Sequence, residues 1–117
     1  MKKIWYSSWN GEIWAPQQFL QNGSSIFGTS VGPSLILVAF GDQALRPLAA
    51  WKGEDNDERI WYSYYSSSGW TEQQYIPGVG TSVGPSMASI DVEDIILAWK
   101  GVAGDTRLWW TSALFSD

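Results

Sequence analysis

The sequence predicts an all-β fold assembled from tandem four-stranded antiparallel sheets, and three observations carry that reading. The first is a verbatim repeat. Gly28-Thr29-Ser30-Val31-Gly32-Pro33-Ser34 returns letter for letter as Gly80-Thr81-Ser82-Val83-Gly84-Pro85-Ser86. A fixed period of this length marks a solenoid, a propeller or an array. The second is the lack of any stretch with sustained helical periodicity and caps. Short apolar runs bounded by Gly, Pro, Asn and Ser stand in its place. The third is that several runs are apolar at every position: Leu35-Ile36-Leu37-Val38-Ala39-Phe40, Ile95-Ile96-Leu97-Ala98-Trp99 and Leu108-Trp109-Trp110. A half-exposed strand alternates, whereas a strand covered on both faces reads as a continuous apolar run. Four-stranded sheets sandwiched between like neighbours are the blades of a β-propeller. A solenoid of all-β repeats uses shorter units.

The repeat covers nearly the whole chain. Ile4-Trp5-Tyr6-Ser7 returns as Ile60-Trp61-Tyr62-Ser63 and, drifted, as Leu108-Trp109-Trp110-Thr111. Trp14, Gln17 and Gln18 return as Trp70, Gln73 and Gln74, and Ala50-Trp51-Lys52-Gly53 returns as Ala98-Trp99-Lys100-Gly101. Asp57 and Arg59 return as Asp105 and Arg107. The spacing between copies shortens in two steps, near 22–25 and near 41–43, both loop-like places where insertions are tolerated. Residues 1–117 are thus a single tandem-repeat domain. Its units lie at about 4–59 and 60–107, with a third partial copy at 108–114.

Four strand types recur: a at 34–40 and 86–90, b at 45–51 and 94–99, c at 3–8, 59–65 and 107–114, and d at 13–19 and 69–76. Gly32-Pro33 and Gly84-Pro85 fit a turn into strand a, because Pro fixes φ and donates no ladder bond. Asn10-Gly11 and Ser68-Gly69 fit a c–d hairpin turn. Strand a begins with small residues (Ser34; Ser86, Ala88, Ser89), which suits a crowded axis, while Trp and Tyr on b, c and d suit a wider rim. One blade, a-b-c-d, is complete within 34–76. A second, starting at 85, lacks d. The N-terminal segment holds a spare d around Trp14, and one copy of c is surplus. About two blades per chain do not close a ring of roughly four to eight. The expectation is therefore self-association, with a trimer of six blades favoured over a tetramer of eight, or else a piece cut from a longer array.

The composition narrows the function classes. The 117 residues carry a net charge of −5, which argues against a nucleic-acid partner. There is no Cys, hence no disulfide and no thiolate metal site, and no His, the commonest general base and metal ligand. No apolar run is long enough to span a membrane. Met1-Lys2-Lys3-Ile4 begins like a signal peptide, but Ser7, Ser8 and Asn10 interrupt any apolar region after it, so a soluble protein is expected, its compartment open and extracellular among the options.

The pattern Ala-Trp-Lys-Gly, Asp-x-Arg-Ile-Trp-Tyr-Ser, Trp-x-x-Gln-Gln and Gly-Thr-Ser-x-Gly-Pro-Ser resembles the tandem repeats of bacterial and fungal β-propeller proteins of the lectin-like type, with sialidase-like or Photorhabdus-lectin-like blades. The hairpins at Asn10-Gly11 and Ser68-Gly69, each followed by a Trp, are similar to sialidase Asp boxes, although the Asp is missing at both turns. In architecture the chain is also similar to two-blade fucose-binding lectins that trimerise into six-bladed rings. The resemblance implies a non-catalytic, multivalent carbohydrate-binding propeller. The alternative is a structural or protein-interaction propeller scaffold, or a fragment of a longer propeller with no ligand of its own.

The candidate ligand contacts are Trp51, Lys52, Asp57 and Arg59, with their counterparts Trp99, Lys100, Asp105 and Arg107. An indole stacks on the apolar face of a pyranose, and charged groups bond its hydroxyls in fixed directions. The plainer alternative makes the Trp residues packing between blades and each Asp–Arg pair a structural tie. Tyr62, Trp110, Gln17/Gln18 and Gln73/Gln74 are weaker candidates. The acidic run 54–58 keeps a single acid, Asp105, in its second copy and lacks calcium-loop spacing, so it reads as a solvated turn, and neither metal nor cofactor is expected. No enzyme is expected either, because most acids sit in turns and differ between units, and the arginines are confined to Arg46, Arg59 and Arg107.

Overall fold

Runs of β-branched and aromatic residues bounded by turn residues become strands throughout the chain. The structure, a computed structural model, describes residues 1–39, 44–91 and 93–114, and among these there is no helix. The strands are β1 (Trp5–Tyr6), β2 (Gln18–Phe19), β3 (Gln21–Asn22), β4 (Ser25–Ile26), β5 (Ser34–Ala39), β6 (Leu45–Lys52), β7 (Ile60–Ser66), β8 (Gly69–Trp70), β9 (Gln74–Tyr75), β10 (Ser86–Ser89), β11 (Asp94–Lys100) and β12 (Leu108–Leu114). The fold is all-β and made of several sheets. Phe40, expected to end strand a, and the length step at 41–43 lie outside the described residues.

The main sheet runs β5-β6-β7, with β8 and β9 both on the far edge of β7. The next sheet runs β10-β11-β12. Their registers correspond, with Trp51 opposite Trp61 in one and Trp99 opposite Trp109 in the other. The N-terminal hairpin repeats the c–d pairing. Trp5 faces Phe19 and Tyr6 faces Gln18, as Trp61 faces Tyr75 and Tyr62 faces Gln74. The hairpin glycines Gly11 and Gly69 take φ of +100° and +103°, which only glycine adopts cheaply.

Two expectations need correcting. Strand d is not continuous. In the main sheet it splits into β8 and β9, and in the N-terminal hairpin only β2 and an isolated Trp9–Trp14 bridge remain. At the break in both hairpins a serine of strand c bonds across to strand d. The Ser63 hydroxyl donates to the Thr71 carbonyl at 2.7 Å, and the Ser7 hydroxyl donates to the Ala15 carbonyl at 2.7 Å. A side chain thus takes an acceptor that a continuous ladder would use. The second correction is at 22–25, expected as a loop. Here β3 and β4 form a tight hairpin around Gly23, and Asn22 Nδ2 donates to the Trp70 carbonyl at 2.9 Å, pinning it to the main sheet.

The cores lie between units rather than within them. Successive side chains on a strand point to opposite faces. On β6, Ala49 and Trp51 turn toward the N-terminal hairpins and pack with Ile4, Leu20, Phe27 and Trp70. Leu48 and Ala50 turn the other way, toward Ile95, Leu97 and Trp99 of β11. The runs expected to be covered on both faces differ from this within one chain: β5 exposes Leu35 and Leu37, β11 buries Ile95, Leu97 and Trp99 on one face, and β12 is exposed along its length. Strands β5 and β10 lie side by side, with Met87 N donating to Ser34 Oγ at 3.1 Å and Ser89 Oγ to the Leu37 carbonyl at 3.3 Å.

The identical heptapeptides join one unit to the next. Thr29 N donates to the Lys2 carbonyl at 3.0 Å and Thr81 N to the Glu58 carbonyl at 2.8 Å, each just ahead of the preceding strand c. Each Thr hydroxyl then accepts the N–H two residues on, from Val31 and from Val83. A Cβ on Gly84 would sit 2.3 Å from the Gly32 carbonyl oxygen, while a Cβ on Gly32 meets open space. Gly84→Ala is therefore expected to cost about 1–3 kcal/mol of chain stability by overpacking. Gly32→Ala should stay within about 0.5 kcal/mol. Urea denaturation of the two variants at low protein concentration checks the asymmetry.

Candidate functional site

The turn from strand b to strand c builds the same cluster in both sheets. Asp57 N donates to the Glu54 carbonyl at 2.9 Å and Asp105 N to the Val102 carbonyl at 2.8 Å, closing the turn. The carboxylate then folds back over the glycine of the Trp-Lys-Gly motif. A Cβ there would lie 2.2 Å from an Asp57 oxygen at Gly53 and 2.3 Å from an Asp105 oxygen at Gly101. Asp57 Oδ1 accepts from Arg59 N at 3.1 Å and Nε at 2.8 Å, and its Oδ2 accepts from Arg59 Nη2 at 3.1 Å and Trp61 Nε1 at 3.0 Å. Asp105 makes the corresponding four bonds to Arg107 and Trp109.

Each guanidinium also lies over aromatic rings, where the ring quadrupole attracts it. Arg59 is 4.5 Å from the Trp61 ring and 4.9 Å from Tyr75, and Arg107 is 4.8 Å from Trp109. In the N-terminal hairpin Lys3 takes the cation's place, 4.5 Å from Phe19 and 5.7 Å from Trp5. Three copies of strand c thus present a cation–aromatic ladder. Arg59 and Trp61 lie two residues apart where strand c begins and point to one side, and Asp57 reaches both from the turn before it. That spacing is the signal by which Trp61 and Trp109 could have joined the candidates.

The electrostatics lock the carboxylates in their charged form. Burial opposes ionisation of Asp57, but the bonds from Arg59 and Trp61 outweigh it and hold the carboxyl below the usual range. The Arg107 guanidinium, followed by the Arg107 N–H and the Trp109 indole, pulls Asp105 well below that range.

The other four candidates point inward. Trp51 is 0% exposed and stacks on Phe27, with ring centroids 5.4 Å apart and planes at 18°. Trp99, 6% exposed, packs with Ile60 and Leu97. Lys52 is buried, and its ammonium donates to Ser30 Oγ at 3.5 Å and to the carbonyls of Gly53 at 3.0 Å and Asp55 at 2.7 Å. Lys100 donates to Ser82 Oγ at 2.8 Å and to the carbonyls of Gly101 and Val102. The structure therefore gathers Asp57 with Arg59, and Asp105 with Arg107, on the outside. Trp51 and Lys52, and Trp99 and Lys100, serve the interior and the Gly-Thr-Ser motif.

Several hollows lie nearby, one of about 350 Å³ lined by Ser30, Lys52, Asp55 and Ser82 among others. A groove of about 420 Å³ between the N-terminal hairpin and the main sheet is lined by Trp5, Tyr6, Gln18, Leu35 and Tyr65 among others. Its counterpart between the two sheets, about 270 Å³, is lined by Tyr62, Ile76, Met87 and Thr111 among others. A smaller pocket of about 230 Å³ is bounded by Gly78, Val79, Gly80, Trp99, Asp105 and Trp109. Among the described residues no group of three acidic, Cys or His side chains could hold a metal ion, and no helix is long and apolar enough to cross a membrane. Compared with protein-family models, curated proteins and solved structures, the chain matches none.

The lowered carboxyls give a signed pH dependence. Their folded pKa values lie below the unfolded value of about 3.9, so their stabilisation is full above that pH and is lost as pH falls through the folded values. The denaturation midpoint should hold steady from neutral pH down to about 4.5 and fall below about 4. Asp57→Asn with Asp105→Asn should lower stability at neutral pH and flatten that acid decline. Chemical denaturation at a series of pH values measures both.

Proposed function

We propose that the chain is a non-catalytic, multivalent carbohydrate-binding module, a lectin-like β-propeller whose ring is completed by further copies of the chain. The observation that supports it best is the repeated ladder. On each strand c a cation lies over an indole, and where Asp is present its carboxylate bonds both; Trp5 and Trp109 are each about half exposed, while Trp61 is partly buried. An aromatic ring fixed before the ligand arrives loses little freedom on stacking against a sugar. The carboxylates suit binding better than catalysis, because a general acid needs a raised pKa and these are lowered. The buried Trp51 and Trp99 favour the second reading, a scaffold whose tryptophans serve assembly alone.

The assembly part draws on the chain's own internal interface. Leu35 and Leu37 on β5 are more than half exposed, as are Leu108, Trp110 and Leu114 on β12. Their counterparts, Met87 for Leu35 and Tyr62 for Trp110, pack against the cores between the two sheets. Head-to-tail contact between copies covers both exposed faces by the same geometry. A trimer closing six blades is the favoured ring. Each junction brings together β12 of one copy and β1 of the next, and one of these two c strands completes the a-b-c-d order.

A glycan array separates the readings. Trp5→Ala with Trp109→Ala should weaken glycan binding by about tenfold or more, while silence of the native chain across the array favours the scaffold. Sedimentation at micromolar concentration should show three chains, and a stable monomer would overturn the ring. Gly32→Ala is the sharper probe: its Cβ lies in open space within one chain but falls where the Gly84 carbonyl of the neighbouring copy is placed by the internal repeat. It should leave chain stability unchanged and weaken the oligomer.

A further inference from the structure

The two units differ around one small space: Ile26, Phe27 and Glu54 of the first are Gly78, Val79 and Val102 in the second. Phe27 and Val79 each directly precede a Gly-Thr-Ser motif and are counterparts. Phe27 is fully buried, lying nearly parallel on Trp51. Trp99 stands in the place of Trp51, but Val79 has no ring to lay on it. Where Phe27 fills the first unit, the second has the pocket of about 230 Å³ lined by Val79, Trp99, Val102, Asp105 and Trp109 with the glycines between them. Phe27 acts as an internal ligand: it shows that a six-membered ring fits flat against this indole in this fold.

We propose that the second unit's pocket binds one pyranose ring of a glycan, its apolar C–H face against the accessible face of Trp109 and its edge toward Trp99, and that Phe27 closes the corresponding place in the first unit. This deepens the carbohydrate reading and rests on it. Trp99 forms the nearly covered floor, and Trp109, 43% exposed, forms the accessible wall. Asp105 does not reach for the sugar, because both its oxygens already accept from Arg107 and Trp109. It positions the Trp109 ring instead. The ligand's hydroxyls therefore remain largely in solvent, and recognition is of the ring face rather than of a hydroxyl pattern. A monosaccharide held this way binds with a Kd on the order of millimolar, and useful affinity comes from several copies engaging one glycan-covered surface.

The test uses methyl β-D-galactopyranoside and methyl β-D-glucopyranoside as probes, with saturation-transfer NMR and tryptophan fluorescence on the full chain. The native chain should bind about one equivalent per chain. Val79→Phe should weaken binding at least tenfold, with its melting curve confirming that it folds. Phe27→Val should add a second equivalent, and it reports whether or not Val79→Phe folds. Binding unchanged in Val79→Phe and stoichiometry unchanged in Phe27→Val overturn the pocket while an array-positive chain keeps the carbohydrate reading. No transfer from either glycoside, or transfer only from p-cresol, overturns the pyranose assignment. Silence on the glycan array overturns the reading beneath it.

Discussion

The structure depends on one constraint: a sheet that is apolar on both faces must be covered on both. Strand β6 shows it most plainly. Ala49 and Trp51 are buried against the N-terminal hairpins, while Leu48 and Ala50 are buried against β10 and β11. Neither face can be left to water without losing the main driving force of the fold, roughly 25 cal/mol for each Å² of apolar surface. No unit has a core of its own, so each exists by virtue of its neighbours. A sequence repeat follows directly, because the same face must meet the same partner each time. The chain's two end faces, with Trp110 68% exposed on one, are the places where that requirement is unmet within a single chain.

The heptapeptide repeats without change because several demands meet in it. Its Thr N–H bonds the preceding unit, its Ser hydroxyl accepts from a lysine on its own strand b, and its second Gly passes a backbone carbonyl of the neighbouring copy. The lysine explains the companion motif. Burying an ammonium is expensive unless its donors are satisfied. In Trp-Lys-Gly the residue after the lysine supplies a carbonyl, and the turn beyond supplies another. Two motifs far apart in sequence are thus one polar knot at the junction of linker, strand and turn. The lysines read as ligand groups from sequence because a charge beside a tryptophan suits a sugar equally well. Only the fold reveals that Ser30 and Ser82 stand above them.

Strand types and their order were legible because they are written in apolar runs and turn residues. The break in strand d was not, since the letters do not show two serine hydroxyls bonding across it. The candidate site was legible in halves. Asp57 pairs with Arg59, and Asp105 with Arg107, toward the surface as their i, i+2 spacing implies, whereas Trp51 is fully buried and Trp99 nearly so. A tryptophan carries no mark in sequence of which face of the strand its neighbour will cover. Also hidden was a clip between successive units. Glu58 Oε2 accepts from Ala103 N at 2.9 Å, joining the main sheet to the next turn. At the counterpart positions Lys2 Nζ pairs with the Asp55 carboxylate. The geometry is kept while the chemistry is exchanged, so an alignment of letters shows only a mismatch.

That exchange separates what a repeat must keep from what it is free to vary. Positions that touch backbone across a junction stay identical, because a carbonyl or an N–H leaves no room for alternatives: Gly84 beside the Gly32 carbonyl, Thr29 and Thr81 on preceding carbonyls. Where a long charged side chain makes the junction contact, the letters drift although the contact is kept: Lys2 pairs with the Asp55 carboxylate, and Glu58 accepts from the Ala103 N–H. A third class drifts without a compensating partner. Phe27 becomes Val79, yet the indole beneath remains Trp in both units. The smaller Val79 still packs on the Trp99 cluster, and the volume the ring would take is left as the pocket beside it. Among the three classes this uncompensated change is the one that leaves room for an occupant from outside the chain.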